Sequence, residues 1–383
     1  MSQTFFPTDL PSYAHRSLPR LSAGERDRFL KTWRLLGAGG ILAVTREGDM
    51  SLSGPGVCEA LLARSWAARY HDPRQMLHLA NVARDVAAQL KHGDCGRAGV
   101  TAIQARAWGE LANAFRVAGR LPAAHTAFEE AFGRANEIHD LHLSAHLLEL
   151  MATMHGKSGD LESATQLLSI VTGVYDHAHE RRLAGRARIT HSIYAGMQGL
   201  EDDALRLSLE GLARIEPAQD PVLLTTAIHN HLLLTLELGL RTEARRTLAL
   251  CRSVSGGESA AAAVRLRWME GRVLHDLGEL ESAETALRQS RDGLAALGLK
   301  LFTAVASLDL AATLLRQDRL REAQAEALPT LNLFLDAERW DEYLGALLVL
   351  EAAFRTGMVT SDLVERALAQ LRAKEIERDA LAV

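Results

Sequence analysis

From Val57 to about residue 355, apolar residues recur at intervals of three and four. That is the period of helices that bury one face. Short turns interrupt the pattern at a fixed distance. Six of them align: GRLPAA ending at Ala124, GDLESA at Ala164, GLEDDA at Ala204, GLRTEA at Ala244, GELESA at Ala283 and DRLREA at Ala323. The terminal alanines lie 40, 40, 40, 39 and 40 residues apart. A glycine, or Asp318 in the last copy, stands where a left-handed residue would cap one helix. The small alanine lets the following helix lie against the one before.

The pattern predicts helix pairs near 57–70 and 73–91, 99–118 and 121–137, 140–158 and 161–178, and 181–198 and 201–215. Further pairs follow near 221–238 and 241–254, 258–277 and 280–297, and 300–317 and 320–337. Glu216-Pro217 and Asp220-Pro221 punctuate the middle of the array, because proline disfavours a helical residue before it. A last helix from Trp340 to Arg355 and a charged cap over about 361–378, with Arg372, Lys374, Glu375, Glu377 and Arg378, close the chain. The position where paired helices cross should be small. It is Ala112, Ala152, Ser192, Leu232, Gly271 and Ala311 in succession, with Leu232 implying a wider crossing.

Ahead of the array, residues 1–56 read as an extension. Pro7, Pro11 and Pro19 mark an extended start that would dock through Phe5, Phe6 and Tyr13. Ser22 and Glu25 have capping-box spacing and open a helix to about Leu36, with Phe29, Trp33 and Leu36 on one face. Gly37 to Gly40 ends that helix, and a linker with at most one short strand or helical turn runs through Gly54-Pro55-Gly56.

The clearest copy of the unit reads W-x2-L-A-x2-F-x8-A-x3-F-x2-A from Trp108 to Ala131. It resembles the signature of the tetratricopeptide-repeat superfamily. The resemblance covers about residues 57–357, with a period of 40 in place of the usual 34. It implies an all-α, right-handed α-solenoid of about seven tetratricopeptide-like pairs, each packed on its neighbours, with a C-terminal capping helix from 358 onward. Blocks such as ARAWGELANAFR, AIHNHL and LRWMEGR are similar to bacterial arrays that accompany regulators. Residues 1–56 hold neither the cysteine and histidine spacing of a zinc segment nor a pair of recognition helices.

The resemblance also implies that the first helix of each pair lines a concave groove where partners bind. At the groove-facing signature positions stand Arg106, Asn113, Arg116 and His146, then Arg186, His229 and Leu233, then Arg265, Arg272 and His275. Trp268 falls one residue off the core register and is a candidate groove aromatic, whereas Trp108 occupies a core position. Such a groove is basic toward both ends and apolar around Ile193, Leu233 and Leu236. It suits an extended or helical segment with acidic residues and one apolar anchor. The structural alternative pairs these arginines with Glu110, Glu149 and Glu270 across adjacent helices.

Composition adds limits. Hydrophobic residues make up 48% and aromatics 5%, which favours close-packed helices rich in alanine and leucine. The net charge of -5 gives no drive toward nucleic acid. Lysine appears five times, so arginine carries 38 of the 43 positive charges, an imbalance that base composition of the genome accounts for. Cys58, Cys95 and Cys251 are odd in number and far apart, with no CxxC pair. No secretory signal and no window of about 18 apolar residues is read, so a cytoplasmic location is expected.

Fifteen histidines raise a metal reading, since His139, His142 and His146 fall on one helical face with His155 two turns on. No carboxylate or cysteine is spaced to complete such a site, so no metal and no cofactor are expected. There is no GK[ST] loop, HExxH or GxSxG elbow. The expectation is a non-enzymatic adaptor that captures a protein or peptide and regulates a separately encoded effector. The alternatives are a sensor of a small ligand or signalling peptide that changes superhelical shape and, more weakly, a nucleic-acid-associated regulator.

Overall fold

The computed structural model describes residues 20–37, 53–69, 72–216, 221–254, 260–335 and 344–369. Expectations placed on residues 1–19, on the 38–52 linker, on Trp340 and on Arg372 to Arg378 lie outside them. Among the described residues every regular element is a helix and no strand occurs. The order is α1 (Ala23–Gly37), α2 (Pro55–Ala68), α3 (Pro73–Ala88), α4 (His92–Val117), α5 (Leu121–Ile138), α6 (Leu141–Lys157), α7 (Leu161–His177) and α8 (Arg181–Met197). There follow α9 (Glu201–Leu212), α10 (Pro221–Glu237), α11 (Arg241–Val254), α12 (Ala260–Asp276), α13 (Leu280–Ala296), α14 (Lys300–Arg316), α15 (Leu320–Leu335), α16 (Leu344–Thr356) and α17 (361–369). The boundaries follow the hydropathy pattern to within a few residues, apart from α4, which starts seven residues early.

All six aligned turns share one geometry. Gly119, Gly159, Gly199, Gly239 and Gly278 have φ of 75°, 83°, 76°, 67° and 79°, and Asp318 has 59°. In each, the next amide donates to the carbonyl five residues back, as in Arg120 N to Phe115 O at 2.8 Å and Arg319 N to Leu314 O at 2.9 Å. This closes the helix end with otherwise orphaned carbonyls satisfied. Five residues beyond each left-handed position stand Ala124, Ala164, Ala204, Ala244, Ala283 and Ala323, all fully buried. The crossing residues are buried too, Leu232 among them, where it packs with Ala244 and Leu248. At Gly271 an added Cβ would come within 2.6 Å of Leu287 Cγ, so only glycine lets those helices meet.

The chain forms two compact units, residues 1–187 and 188–383, with the division inside α8. That division differs from a boundary at residue 56 because α1 is not a separate extension. Phe29 and Trp33 of α1 are buried with Ala60 and Ala63 of α2. Glu25 Oε2 accepts from Gly56 N at 2.8 Å, and a Cβ on Gly56 would lie 2.0 Å from Glu25 O. Gly54-Pro55-Gly56 is therefore a helix start held against α1, with Pro55 at the first turn.

In unit 2, α12 to α15 enclose the largest cluster, built from Leu287, Leu294, Leu308, Leu314 and Leu331, which α16 and α17 cover with Leu350, Phe354 and Leu368. Pro329 sits inside α15, a helix interior that the sequence pattern did not flag.

The repeated turn can be tested one residue at a time. Gly199→Ala places its Cβ in open space, so the loss comes from the left-handed backbone alone, about 1–2 kcal/mol by denaturant unfolding. Asp318→Gly at the equivalent turn is expected to raise stability by up to about 1 kcal/mol.

Candidate functional site

In unit 1 the first helices of successive pairs carry carboxylates into the interior. Glu59 of α2 has no exposed surface, lies in the apolar run Val57–Ala63, and its Oε1 accepts from Arg106 Nη2 of α4. Glu110, one turn further along α4 and equally buried, lies 3.2 Å from His146 Nε2 of α6. Glu149, next on α6, takes two bonds from Arg186, at 3.0 Å from Nε and 2.6 Å from Nη2, and a third from Tyr175 OH at 3.3 Å. Each base therefore comes from the pair that follows its carboxylate. A planar guanidinium held by both carboxylate oxygens fixes direction as well as distance.

The groove residues expected from the sequence are thus not displayed to solvent. Asn113, Arg116, His146, Arg186, His229, Trp268, Arg272 and His275 are buried, and Arg106, Leu233 and Arg265 are half-buried. Arg116 folds back on Asn113 Oδ1 at 2.7 Å. Trp268, read as an open aromatic, donates its indole N–H to Asp309 Oδ2 at 2.7 Å and meets Phe302 edge-on. His275 lies 2.9 Å from Thr313 Oγ1 and 3.2 Å from Glu365 Oε1, while Arg316 donates to its carbonyl at 2.8 Å. Arg265 lies over the Phe302 ring. The physical reason is spacing: one repeat brings a basic residue on one first helix opposite a carboxylate, carbonyl or hydroxyl on its neighbour.

The histidines separate. His139 is the left-handed cap of α5, with φ 51°, and lies outside α6. His155 turns to Asp160 Oδ2 at 2.9 Å. His142 and His146 do converge, on a cavity of about 230 Å³ that also meets Glu59, Arg106, Asp140 and Tyr175. Arg20 and Cys95 border it, and its apolar wall includes Leu21, Ile103, Leu143 and Leu183. Cys95 is placed by a break in α4, where Cys95 and Gly96 leave helical geometry and Gly96 takes φ 77°. Burial, then neighbouring Asp94, raises the Cys95 thiol pKa above its ordinary value. Burial raises the Cys58 pKa further.

Asp140 Oδ1 already accepts from the amides of His142 and Leu143 at 3.0 Å, as the N-cap of α6. Glu59 Oε2, by contrast, has no hydrogen-bond partner. Sequence reading missed Glu59, Asp140, Tyr175 and Cys95. The one available signal was a glutamate inside an otherwise apolar helical run. Among the described residues no three His, Cys, Asp or Glu side chains gather as a metal set. No described helix is long and apolar enough to cross a membrane.

No family model and no curated protein matches the chain. Among solved structures it is similar to BtubC (BKLC) from P. vanneervenii, at 16% identity and a TM-score of 0.50, over 59% of this chain and 92% of that one. At that identity the likeness establishes a helical repeat fold.

Two outcomes test the buried charges. Glu149→Ala strands Arg186 and should cost about 3–5 kcal/mol of stability, whereas replacing both with Glu149→Leu and Arg186→Met should recover most of it in a double-mutant cycle.

The second concerns protons. Burial, with Arg265 nearby, lowers the His229 pKa to about 4, so the unfolded chain takes up this proton first as pH falls from about 6.5. Stability is expected to fall by up to about 3 kcal/mol between about pH 6.5 and pH 4 from this group, and to be insensitive to it above. His231 and His275 are lowered in the same direction. Urea midpoints measured across that range should show a shallower slope in His229→Gln.

Proposed function

We propose that this chain is a divergent tetratricopeptide-type array that works as a non-enzymatic adaptor in the cytoplasm. It binds a partner protein or peptide and regulates a separately encoded effector. The observation that supports this reading is the repeated unit itself: six turns with one backbone geometry and one buried alanine. Stacked helix pairs of this kind expose long, pre-ordered surfaces, which bind extended or helical segments with little ordering cost on the array's side.

The burial of the inner charges changes where recognition falls. Arg186, Arg272 and His275 hold or fill the array, and the half-buried stripe positions Leu233 and Arg265 in unit 2 are the contacts we assign to the partner. They offer one apolar anchor beside one positive charge, a match for an amphipathic segment with an acidic residue. A second reading, a sensor that responds to a small ligand, is favoured by the cavity beside Glu59.

Affinity capture from the source cell with the full chain is expected to return one protein in stoichiometric amount. Leu233→Asp and Arg265→Ala should each weaken its binding about tenfold or more, a loss of about 1.4 kcal/mol, with unchanged circular dichroism. Capture that returns no stoichiometric protein with the wild-type chain counts against the adaptor reading.

A further inference from the structure

We propose that the cavity in unit 1 is a binding site for a small zwitterion of the amino-acid class, with its ammonium on Glu59 and its carboxylate toward Arg20 and Arg106. This deepens the small-ligand reading and leaves the partner reading untouched.

The starting observation is Glu59. Its side chain is wholly buried and lines the cavity, one carboxylate oxygen is engaged by Arg106, and Oε2 has no donor. A buried charged oxygen left without a hydrogen bond is costly, so the fold keeps it there at the expense of stability. A ligand that brings an N–H to Oε2 removes that cost, and a cationic N–H removes most of it.

Size sets the next limit. A single water takes about 30 Å³ of liquid volume, and a cavity of about 150 Å³ admits benzene. The 230 Å³ here therefore suits a molecule of about ten non-hydrogen atoms. The walls divide as small-molecule sites do, with a few polar groups set among apolar ones. Ala102, Ile103, Leu143 and Leu183 form the apolar side, and His142 and Tyr175, ring centroids 6.3 Å apart, an aromatic one.

Charge then selects among ligands of that size. Two carboxylates, Glu59 and Asp140, face two guanidinium groups, Arg20 and Arg106. Asp140 is occupied as a helix cap, so the acidic end that remains open is Glu59. A simple carboxylate would meet that end without a donor. A simple amine would leave the guanidinium end unanswered. A molecule bearing both charges answers both ends, and an apolar or aromatic side chain fills the wall between.

Calorimetric titration of the full chain with L-phenylalanine, phenylethylamine and 3-phenylpropionate separates these cases, since the last two keep the body and carry one charge each. L-phenylalanine should bind about tenfold or more tighter than either. It should also slow alkylation of Cys95 by N-ethylmaleimide about fivefold or more, read by peptide mass spectrometry, because it covers that wall. Cys251, buried in unit 2, is the internal control.

Glu59→Gln keeps an acceptor for Arg106 and should weaken binding about tenfold or more, with partner capture retained. Because this substitution alters a buried pair, Ala102→Met, which fills the cavity from its apolar side, is the second variant. It should abolish both heat and Cys95 protection at an unchanged melting temperature. Several results overturn the assignment. One is 3-phenylpropionate or phenylethylamine binding as tightly as L-phenylalanine. Another is binding that survives both variants. A third, leaving a cavity that holds water only, is neither heat nor protection with any proteinogenic amino acid.

Discussion

The inner face of unit 1 depends on carboxylates that have been taken out of water. Glu59, Glu110 and Glu149 stand on successive first helices, and each is met by a base one pair further on. A buried acid cannot be left alone, because the desolvation cost of a stranded charge exceeds what local packing returns. The next helix must therefore arrive with its base at one height and one rotation. Apolar packing alone would tolerate a slide along the helix axis; a bidentate Arg186–Glu149 pair tolerates none. In this sense the ladder sets register while the alanines set distance. The outer helices repeat the device more loosely, with Arg319 on Glu284 and Arg291 on Glu326 about one repeat apart, and there the charges are half in water and contribute less.

That division of labour alters what a basic stripe means. Arginines at groove-facing positions can hold a partner only if the array does not hold them first. Here Arg106, Arg116 and Arg186 are engaged by acceptors within the fold, and the polar heads of Trp268 and His275 are likewise answered by Asp309 and Thr313. What is left for binding is a matter of exception. A position in the ladder where one atom stays unanswered is more informative than the whole row of answered ones.

The fold was legible in the sequence because its determinants are local. A left-handed residue, an alanine five places on and a 40-residue period can be read along the chain, and each corresponds to a backbone angle, a buried methyl group and a closed helix end. Even Asp318, which breaks the glycine pattern, takes the same left-handed turn. The pairing of α1 with α2 was not legible, since Glu25 reaching Gly56 across 31 residues leaves no periodic trace. Pro329 inside α15 was passed over for a related reason: a helix supported on several sides keeps a residue that its own propensity would reject.

The site was less legible than the fold, for a reason that follows from the ladder. Sequence spacing says which residues share a helix face, and so placed Arg106 and His146 on the inner stripe. It does not say whether a facing residue meets a partner molecule or the next helix, which is decided by the side chain opposite, here Glu59 and Glu110. Glu59 looked like an interruption in an apolar run. In the structure it is half of an ion pair and one open acceptor on a cavity that the Cys95–Gly96 break in α4 helps to shape. Unit 1 thus places its one imperfectly satisfied ladder acid beside its polar cavity. A fold selected only for rigidity would gain by replacing that glutamate with a residue of the surrounding apolar kind. Retaining a charge there is what a binding site requires and what a scaffold alone does not.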